Sequence, residues 1–242
     1  MRITIIIPTY NEAETIARLL NDVRAEISNI PKHDFKILVV DANSPDGTAA
    51  IVRAQSGAEL LVEPGLRGLG SAYISGMNYA IYKFNPDAIM EFDGDYQHDP
   101  KDIKKLVAEF DNGYDYIIGS RYVPGGQIPD EWSGRQKFLS KYGSWFIKKA
   151  LNLPTHDNTS GFKLSRVAGF YDRLPLSEDK ILSRYHAYKV HLLYEMQKLG
   201  ARTAEVPIKF LARADGSSKS TSRDILESLK VVLAIKFQDL LR

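Results

Sequence analysis

Residues 88–98 read AIMEFDGDYQH, a mostly apolar run that ends in two aspartates separated by one glycine. The run Ala88–Phe92 predicts a buried β-strand, because a short apolar stretch bounded by polar residues is typical of a strand inside a sheet. In open α/β sheets, ligands bind beyond the carboxyl ends of the strands. Asp93 and Asp95, which follow the run directly, are therefore the first candidates for a functional site.

The same alternation of apolar runs and polar turns extends outward along the first half of the chain. Five strands are predicted: Ile3–Ile7, Phe35–Val40, Glu59–Val62, Ala88–Phe92 and Tyr114–Ile118. Four helices are predicted between them: Glu14–Ile27, Thr48–Ala54, Ser71–Lys83 and Lys101–Asp111. Strands that alternate with helices at intervals of about 20–30 residues are typical of α/β folds. The sequence therefore predicts a Rossmann-like, mainly parallel sheet flanked by helices.

The chain changes character after Ser120. The predicted elements are a loop at Val123–Asp130, a helix at Arg135–Leu151, a strand at Ser160–Leu164, a helix at Tyr188–Leu199, a strand at Thr203–Phe210 and a basic, serine-rich loop at Arg213–Ser222. Earlier in the chain, Asp99 is predicted to cap the fourth helix, with Pro100 in its first turn. No repeat is visible, so residues 1–220 are predicted to form one domain and residues 221–242 an amphipathic C-terminal helix.

The final helix, Arg223–Leu241, carries an apolar stripe. Its members are Ile225, Leu226, Leu229, Val232, Leu233, Phe237 and Leu240. Three basic residues flank it: Lys230, Lys236 and Arg242. Such a stripe packs on the protein's own core, lies in a membrane interface or docks on another subunit. The sequence leaves these interpretations open.

Composition restricts the classes of chemistry. The 242 residues include no cysteine, which excludes thiol nucleophiles, thiolate zinc sites and disulfide scaffolds. Thirty-two basic and 30 acidic residues give a formal net charge of +2, too balanced to indicate a nucleic-acid partner. The longest apolar stretches have about five to seven residues, whereas a membrane-spanning helix needs roughly 20. The start of the chain does not resemble a signal peptide, and a cytoplasmic protein is expected.

The Asp93-Gly94-Asp95 motif can turn two carboxylates toward one cation, with Gln97 or His98 as a neutral further ligand. Hard oxygen ligands of this kind suit Mg²⁺ or Mn²⁺ that holds a substrate diphosphate. The alternative is a polar turn in which Asp93 caps the following segment. The position directly after a buried strand favours the metal site.

Residues 65–70 read GLRGLG, a glycine pattern that follows the third strand rather than the first. This order and this position disfavour a dinucleotide site. Gly68 and Gly70 instead allow close backbone approach at a helix start, where amide N–H groups and Arg67 can face a nucleotide. A plain tight turn is the alternative.

Four basic residues of the second half are candidates for phosphate contacts: Arg121, Arg135, Arg213 and Lys219. Guanidinium groups bind phosphate dianions through paired hydrogen bonds. Taken alone, each of these residues is more often a solvated surface charge.

Together these motifs resemble the family 2 glycosyltransferases of the dolichol-phosphate mannose synthase type. The matching segments are residues 8–12 (PTYNE), 44–46 (SPD), 68–70 (GLG), 93–98 (DGDYQH), 119–122 (GSRY), 125–126 (GG), Trp132, 160–162 (SGF), 205–207 (EVP) and 213–219 (RADGSSK). Each motif is weak alone, but the series in the family's order is highly specific. The resemblance covers residues 1–220, which it identifies as the catalytic domain.

The resemblance implies an A-type glycosyltransferase fold that transfers a hexose, with inversion, from a nucleotide sugar to a polyprenyl or dolichyl monophosphate. GDP-mannose is the favoured donor. A relative that uses UDP-glucose or another nucleotide sugar, or a non-lipid acceptor, is the alternative. Many relatives that glycosylate hydroxyls carry an aspartate base on the segment that here reads Thr159-Ser160-Gly161-Phe162, which holds no carboxylate. A phosphate acceptor is already an anion at neutral pH and needs no such base.

The resemblance also assigns roles to individual residues. The implied donor-binding residues are Pro8, Tyr10, Glu12, Asp41, Asp46, Gly68, Gly70, Asp93 and Lys219. The implied ligands of Mg²⁺ or Mn²⁺ are Asp93, Asp95 and Gln97. The implied acceptor-phosphate contacts are Arg121 and Arg135, and the implied catalytic residues are Asp95, Arg121 and Arg213.

Two departures from the family pattern affect these roles. Asp41-Ala42-Asn43 stands where the family commonly has consecutive acids, which leaves guanine or uracil open as the donor base. Trp132 and Arg135 are three residues apart rather than four, so Gln136 takes the expected place of the arginine.

The expected partners are a nucleotide-sugar donor and a lipid-phosphate acceptor, met at the cytoplasmic face of a membrane through the final helix or a membrane-anchoring partner. Nucleic acid is not expected.

Three other classes of protein fit the sequence less well. A haloacid-dehalogenase-type phosphatase normally opens its domain with the D-x-D motif, which here follows three strand–helix units. A sugar-phosphate nucleotidyltransferase carries a glycine-rich loop where Pro8-Thr9-Tyr10 stands. A non-catalytic binding module does not need paired acids after the fourth strand.

Overall fold

The computed structural model describes residues 1–65, 68–212 and 222–241. Its strands are β1 (Arg2–Thr9), β2 (Asp34–Asp41), β3 (Ala58–Val62), β4 (Ala88–Glu91), β5 (Tyr116–Ser120), β6 (Lys163–Arg166) and β7 (Thr203–Pro207). Its helices are α1 (Ile16–Ser28), α2 (Thr48–Ala54), α3 (Leu69–Phe84), α4 (Ile103–Asp111), α5 (Gly134–Leu151), α6 (Tyr188–Lys198) and α7 (Ser222–Leu240). A 3₁₀ turn, Pro100–Asp102, leads into α4. The Asp99 carboxylate caps this turn by accepting a hydrogen bond from the Lys101 amide at 3.0 Å, which confirms the predicted cap.

The described strands form one seven-stranded sheet in the order β3-β2-β1-β4-β6-β5-β7. β1 pairs in parallel with β2 and with β4, so that Ile5 lies opposite Ile37 on one side and Met90 on the other. β6 runs antiparallel to its neighbours β4 and β5, while β5 and β7 are parallel. The mainly parallel α/β sheet is therefore confirmed, and the reversed β6 is the feature that the sequence pattern does not predict.

Alternate residues of β1 face two hydrophobic cores, one on each side of the sheet. Ile5 belongs to the core that includes Leu20 of α1 and Phe110 of α4. Ile6 belongs to the opposite core, which includes Met77 of α3 and Leu192 of α6. Because helices cover both faces of the sheet, the interior of β1, Ile3–Ile7, is apolar apart from the buried Thr4 and does not alternate between apolar and polar residues.

The observed bounds of β5, β6 and β7 differ from the predicted bounds by two or three residues at one end or both. The predicted bounds of β5, β6 and β7 are Tyr114–Ile118, Ser160–Leu164 and Thr203–Phe210. β5 begins only at Tyr116, because Gly113 turns the chain before it with φ of 88°. After β7 ends at Pro207, Phe210 forms an isolated bridge with His98 instead of extending the strand.

The final helix α7 divides its apolar residues between the core and the surface. Val231, Val232 and Ile235 are at most 3% exposed and belong to the core that α6 also builds. The other members of the predicted stripe are exposed: Ile225, Leu226, Leu229, Leu233, Phe237 and Leu240. The helix thus packs on the protein through one face and presents most of the predicted stripe at the surface. No helix in the described ranges has the length and apolar character needed to cross a membrane.

Candidate functional site

The carboxyl ends of β1 and β4 meet at one edge of the sheet. The Phe92 amide donates a hydrogen bond to the Ile6 carbonyl at 3.1 Å and so continues the pairing beyond β4. A Cβ at Gly94 would lie 2.6 Å from the Pro8 carbonyl oxygen, so glycine is needed where the motif passes the end of β1. The structure therefore brings the predicted motif and Pro8 together.

Asp93 is held at this edge by three side-chain donors. The Tyr73 hydroxyl donates to Oδ1 at 2.8 Å. His98 Nε2 at 3.2 Å and the Lys189 ammonium at 3.5 Å contact Oδ2. Burial alone raises the pKa of Asp93, but Lys189, His98 and Tyr73 outweigh that effect and hold the pKa well below its ordinary value. Asp93 is therefore a carboxylate at neutral pH, with its side chain only 20% exposed.

The turn after Asp93 is organised by Asp95 and Gln97. Asp95 Oδ1 accepts a hydrogen bond from the Gln97 amide at 3.2 Å, so the capping role that the polar-turn alternative gave to Asp93 belongs to Asp95. Gln97 Nε2 donates to the Leu211 carbonyl at 3.3 Å, and the Leu211 amide donates back to the Gln97 carbonyl at 2.8 Å. The turn is thus fixed against the segment that leads toward Arg213.

His98 is enclosed rather than presented to a ligand. It is 1% exposed, and its ring lies 5.2 Å from the ring centroids of Phe162 and Phe210. Because its Nε2 contacts Asp93 and its ring is enclosed, the structure disfavours His98 as a metal ligand in place of Gln97.

The donor set suits a divalent cation that is shared with a substrate. Asp95 and Gln97 are each partly exposed on the turn, and carboxylate and amide oxygens are hard ligands. Across residues 1–65, 68–212 and 222–241, no group of three or more His, Asp or Glu side chains forms a metal site by itself. Mg²⁺ typically binds one or two carboxylates and takes its other ligands from water and substrate phosphates. The residues present fit that mode of binding.

Asp41, at the end of β2, orders the loop beside the motif. It is fully buried and accepts hydrogen bonds from the Thr9 hydroxyl at 2.8 Å, the Ser44 amide at 2.8 Å and the Ser44 hydroxyl at 2.7 Å. The Asn11 amide in turn donates to the Ser44 hydroxyl at 3.0 Å. The loops after β1 and β2 are therefore joined, and a direct contact of Asp41 with a nucleoside stays a prediction.

Asp46 joins the same two loops from the other end. It accepts hydrogen bonds from the Ala13 amide at 2.9 Å and from the Thr48 hydroxyl at 2.6 Å. Burial acts to raise the pKa of Asp46, but these hydrogen bonds hold it below its ordinary value. The Glu12 amide donates to the same Thr48 hydroxyl at 3.0 Å. Tyr10 and Glu12, the predicted nucleoside contacts, thus lie on a loop whose backbone is fixed.

Gly68 and Gly70 are explained by packing at the start of α3. Gly68 has φ of 107°, and a Cβ there would lie 2.3 Å from the Arg184 carbonyl oxygen. The Gly70 and Ser71 amides donate to that same oxygen at 2.9 and 3.2 Å. The prediction that helix-start amides face a nucleotide is therefore wrong for these two amides. Arg67, the other group expected there, lies outside the described residues.

Arg121 forms a buried, bidentate ion pair. Its Nε and Nη2 donate to the two oxygens of Asp157, each at 2.7 Å, and Nη2 also donates to Thr159 at 2.8 Å. The Arg121 side chain is 8% exposed and that of Asp157 is fully buried. Burial alone lowers the pKa of Arg121, but Asp157 outweighs it and raises that pKa. Much of the guanidinium that was predicted to hold a phosphate is thus bound inside the protein, and its phosphate contact stays a prediction.

The other predicted cations lie on different elements. Arg135 is exposed in the first turn of α5. Its neighbour Gln136 completes a capping box with Ser133, since each side chain accepts a hydrogen bond from the other residue's amide. Gln136 therefore serves the helix start, and the phosphate contact of Arg135 stays a prediction. Arg213 and Lys219 lie outside the described residues, and their roles stay predictions.

Sequence reasoning missed Tyr73, Asp157 and Lys189. Lys189 leaves a signal in the sequence, because it interrupts the apolar run of α6, which reads YKVHLL over residues 188–193. A lysine on a core-facing helix is rarely buried unless it is paired. Tyr73 leaves no comparable signal, since it reads as an ordinary core aromatic residue.

Comparison with known proteins gives relatives of nearly full length. Residues 4–174 match the family described as Glycosyl transferase family 2. An undecaprenyl-phosphate mannosyltransferase of Micrococcus luteus is 35% identical over 234 residues, which cover 95% of this chain and 91% of the relative. A polyprenol monophosphomannose synthase of Mycolicibacterium smegmatis is 31% identical over 233 residues, which cover 94% of this chain and 84% of the relative.

A solved structure shares the fold. It is a glucosyl-3-phosphoglycerate synthase of Mycobacterium tuberculosis in complex with Mn²⁺, UDP-glucose and phosphoglyceric acid. The TM-score is 0.70 at 18% identity, and the match covers 96% of this chain and 80% of that one. This likeness confirms the predicted A-type glycosyltransferase fold. Since the family match spans most of the sequence and includes the carboxylate motif at the end of β4, the chain belongs to glycosyl transferase family 2.

Proposed function

We propose that this family 2 glycosyltransferase transfers a mannosyl group from GDP-mannose to a polyprenyl phosphate, with inversion at the anomeric carbon. The names of the two bacterial relatives support mannose as the sugar and a lipid phosphate as the acceptor. The observation that carries the proposal is the carboxylate pair after β4, where Asp93 contacts Tyr73, His98 and Lys189 and Asp95 lies on the adjoining turn.

UDP-glucose is the second candidate donor. Asp41 is buried against Thr9 and Ser44, and no acid follows it at Ala42 or Asn43. The loop after β2 therefore offers fewer carboxylates to a guanine than the family pattern does. Guanine can donate to a carboxylate from both N1–H and N2–H, whereas uracil has only its N3–H to donate, so the missing acids keep a uridine donor as an alternative.

A divalent cation, Mg²⁺ or Mn²⁺, completes the proposed site. Asp95 and Gln97 would hold it, with Asp93 beside them as the third predicted ligand, together with oxygens of the donor diphosphate. When bound, such a cation stabilises the negative charge that develops on the departing diphosphate. The Mn²⁺ named with the Mycobacterium tuberculosis enzyme is in keeping with this choice.

The carboxylates near the site favour a phosphate acceptor over a hydroxyl. The segment Thr159–Phe162 holds no carboxylate, and its Ser160 hydroxyl donates to the Gly119 carbonyl at 2.6 Å. Burial acts to raise the pKa of Asp93 and Asp157, but the cations paired with them hold both values below the ordinary range. A carboxylate with a lowered pKa is a poor general base. A phosphate acceptor needs none, because it is already ionised.

The protein would meet its lipid acceptor through an exposed apolar face on α5 and α7, which pack against each other. The face consists of Phe138, Leu139, Tyr142, Trp145, Phe146, Ile225, Leu226, Leu229, Leu233, Phe237, Leu240 and Leu241. The same helices carry exposed lysines at Lys141, Lys149, Lys230 and Lys236. Aromatic and aliphatic side chains flanked by lysines suit the headgroup region of an anionic membrane surface. On this basis we propose that the protein acts at a membrane surface, with the cytoplasmic face as the side expected from the sequence.

Transfer of label into lipid tests the proposed reaction. The protein is incubated with Mn²⁺ or Mg²⁺, undecaprenyl phosphate in detergent and labelled GDP-mannose, UDP-glucose or another nucleotide sugar in turn. Mannose is expected in the organic extract, and Asp95→Asn is expected to remove it. Label that stays in water-soluble product, or that enters lipid from UDP-glucose alone, contradicts the proposal as stated.

Vesicle flotation tests the apolar face. Full-length protein is expected to float with phosphatidylcholine vesicles that contain phosphatidylglycerol, and the double variant Trp145→Ser with Phe237→Ser is expected to stay behind. Tyr82→Ser is the matched control, because Tyr82 is 92% exposed on α3, outside this face. If wild-type protein does not float, the face instead suits a membrane-anchoring partner or a second copy of the chain.

A further inference from the structure

Lys189 is a positive charge buried beside the carboxylate pair of the proposed site. Its side chain is 6% exposed, and its ammonium lies 3.5 Å from Asp93 Oδ2. Gly161 makes room for this arrangement, since a Cβ there would lie 2.6 Å from Lys189 Nζ and 2.1 Å from Asp93 Oδ2. Lysines are almost never this buried unless they are paired. Asp93 is the carboxylate that pairs with Lys189.

Both oxygens of Asp93 are already in use. Oδ1 accepts a hydrogen bond from Tyr73, and Oδ2 contacts both His98 and Lys189. A divalent cation could reach Oδ2 only by displacing His98 or Lys189, and at Oδ1 it would share the oxygen with the Tyr73 hydroxyl and lie near the Lys189 ammonium. Repulsion between two like charges is stronger inside a protein than in water. The arrangement therefore opposes direct ligation by Asp93.

We infer that Lys189 is a positioning residue that acts as a built-in counter-ion: it neutralises Asp93, withholds it from the divalent cation and leaves Asp95 and Gln97 as the protein's ligands. This inference rests on the proposed function, because it assigns the ligands of the cation in that same site. Its consequence is a protein site with the charge of one carboxylate rather than two. The cation then binds weakly until the donor diphosphate adds its own negative charge.

Mn²⁺ affinity, measured by electron paramagnetic resonance of the free ion, tests the inference without reference to turnover. Titrations are made on the protein alone and with GDP as a diphosphate probe. Lys189→Gln is expected to tighten Mn²⁺ binding about tenfold, because it removes a nearby positive charge and keeps a hydrogen-bond donor for Asp93. Asp93→Asn is expected to weaken binding, because it leaves the Lys189 ammonium uncompensated. Asp95→Asn is expected to abolish it.

The double variant Asp93→Asn with Lys189→Gln decides between a counter-ion and a ligand role. If Asp93 acts only through its charge, removing both charges returns Mn²⁺ affinity to within about threefold of wild type. Lys198→Gln is the matched control, because Lys198 is on the same helix and pairs with Asp239 at 3.0 Å. That variant is expected to leave Mn²⁺ binding unchanged.

Three results overturn the inference. A double variant that loses Mn²⁺ as completely as Asp95→Asn makes Asp93 a direct ligand. A folded Lys189→Gln with wild-type affinity removes the electrostatic role; if its circular dichroism melt shows it unfolded, the double variant, which buries neither charge, gives the answer alone. Absence of Mn²⁺ binding in every protein refutes the assignment of the ligands, whereas the proposed mannosyl transfer is judged separately by the lipid extraction.

Discussion

Replacing Gly161 by alanine is expected to remove most sugar transfer while the protein stays folded. The added Cβ would lie 2.1 Å from Asp93 Oδ2 and 2.6 Å from Lys189 Nζ, closer than the 3.0 Å that real Cβ contacts respect. Asp93 must therefore move by about 1 Å, and it cannot do so without breaking its contacts with His98 and Lys189. A misplacement of about 1 Å in an active site can cost about 100-fold in rate. We expect a loss of that size in kcat for mannosyl transfer.

The matched control for this variant is Gly143→Ala. No heavy atom lies within 4 Å of a Cβ at Gly143, which is in α5, where alanine is favoured over glycine by up to about 1 kcal/mol. Both variants are assayed for transfer to undecaprenyl phosphate in detergent and for thermal unfolding by circular dichroism. Gly161→Ala that keeps more than half of the wild-type rate refutes the view that the position of Asp93 is locked. An unfolded Gly161→Ala shows that the glycine is needed for the fold first.

Four further results are expected. Asp157→Asn should lower the free energy of unfolding in urea by about 3–5 kcal/mol, because the buried Arg121 loses its charged partner; an unchanged midpoint contradicts the pairing. Burial lowers the pKa of His191 to about 4, so stability should fall as the pH drops from about 6.5 to about 4, where the unfolded chain binds a proton that the folded chain does not. Thermal unfolding against pH measures this loss, and a His191→Asn variant that shows the same loss assigns it to another group. The transfer rate should stay flat between about pH 6.5 and 8.5, because a phosphate acceptor needs no base; a steep rise that one Asp, Glu or His substitution removes points to a hydroxyl acceptor. Chelation by EDTA should stop transfer by the wild-type protein, and an unchanged transfer rate in EDTA would refute the requirement for a divalent cation.

The elements and the position of the carboxylate motif could be predicted because both depend on local sequence. The run Ile3–Ile7 is apolar except at Thr4, which is typical of a strand with both faces covered. Asp93 follows another such run, so its place at the carboxyl edge of a parallel sheet follows from topology alone. The antiparallel β6 could not be predicted in the same way, since its direction depends on the path of the chain between Ser120 and Lys163.

The contacts that decide the chemistry join residues far apart in the chain. Lys189 is 96 residues from Asp93, and Asp157 is 36 residues from Arg121. Local patterns carry no information on such pairs, so Arg121 reads as a surface cation although it is buried. His98 misleads for the same reason: its place beside the aspartates suggests a ligand, but Phe162, from a distant segment, encloses its ring.

A short segment, residues 183–186, connects the exposed apolar face with the carboxylate pair. On the α7 side, the Ser183 hydroxyl donates to Glu227 at 2.6 Å and His186 contacts Asp224 at 3.1 Å. On the α3 side, the Arg184 carbonyl accepts hydrogen bonds from the Gly70 and Ser71 amides. The same helix carries Tyr73, whose hydroxyl donates to Asp93. Removing α7 would expose the core residues that pack against Val231 and would release segment 183–186 at the same time. Loss of membrane binding and loss of catalysis would then coincide, whereas surface changes such as Phe237→Ser separate them, because that side chain is 63% exposed and holds no part of this connection.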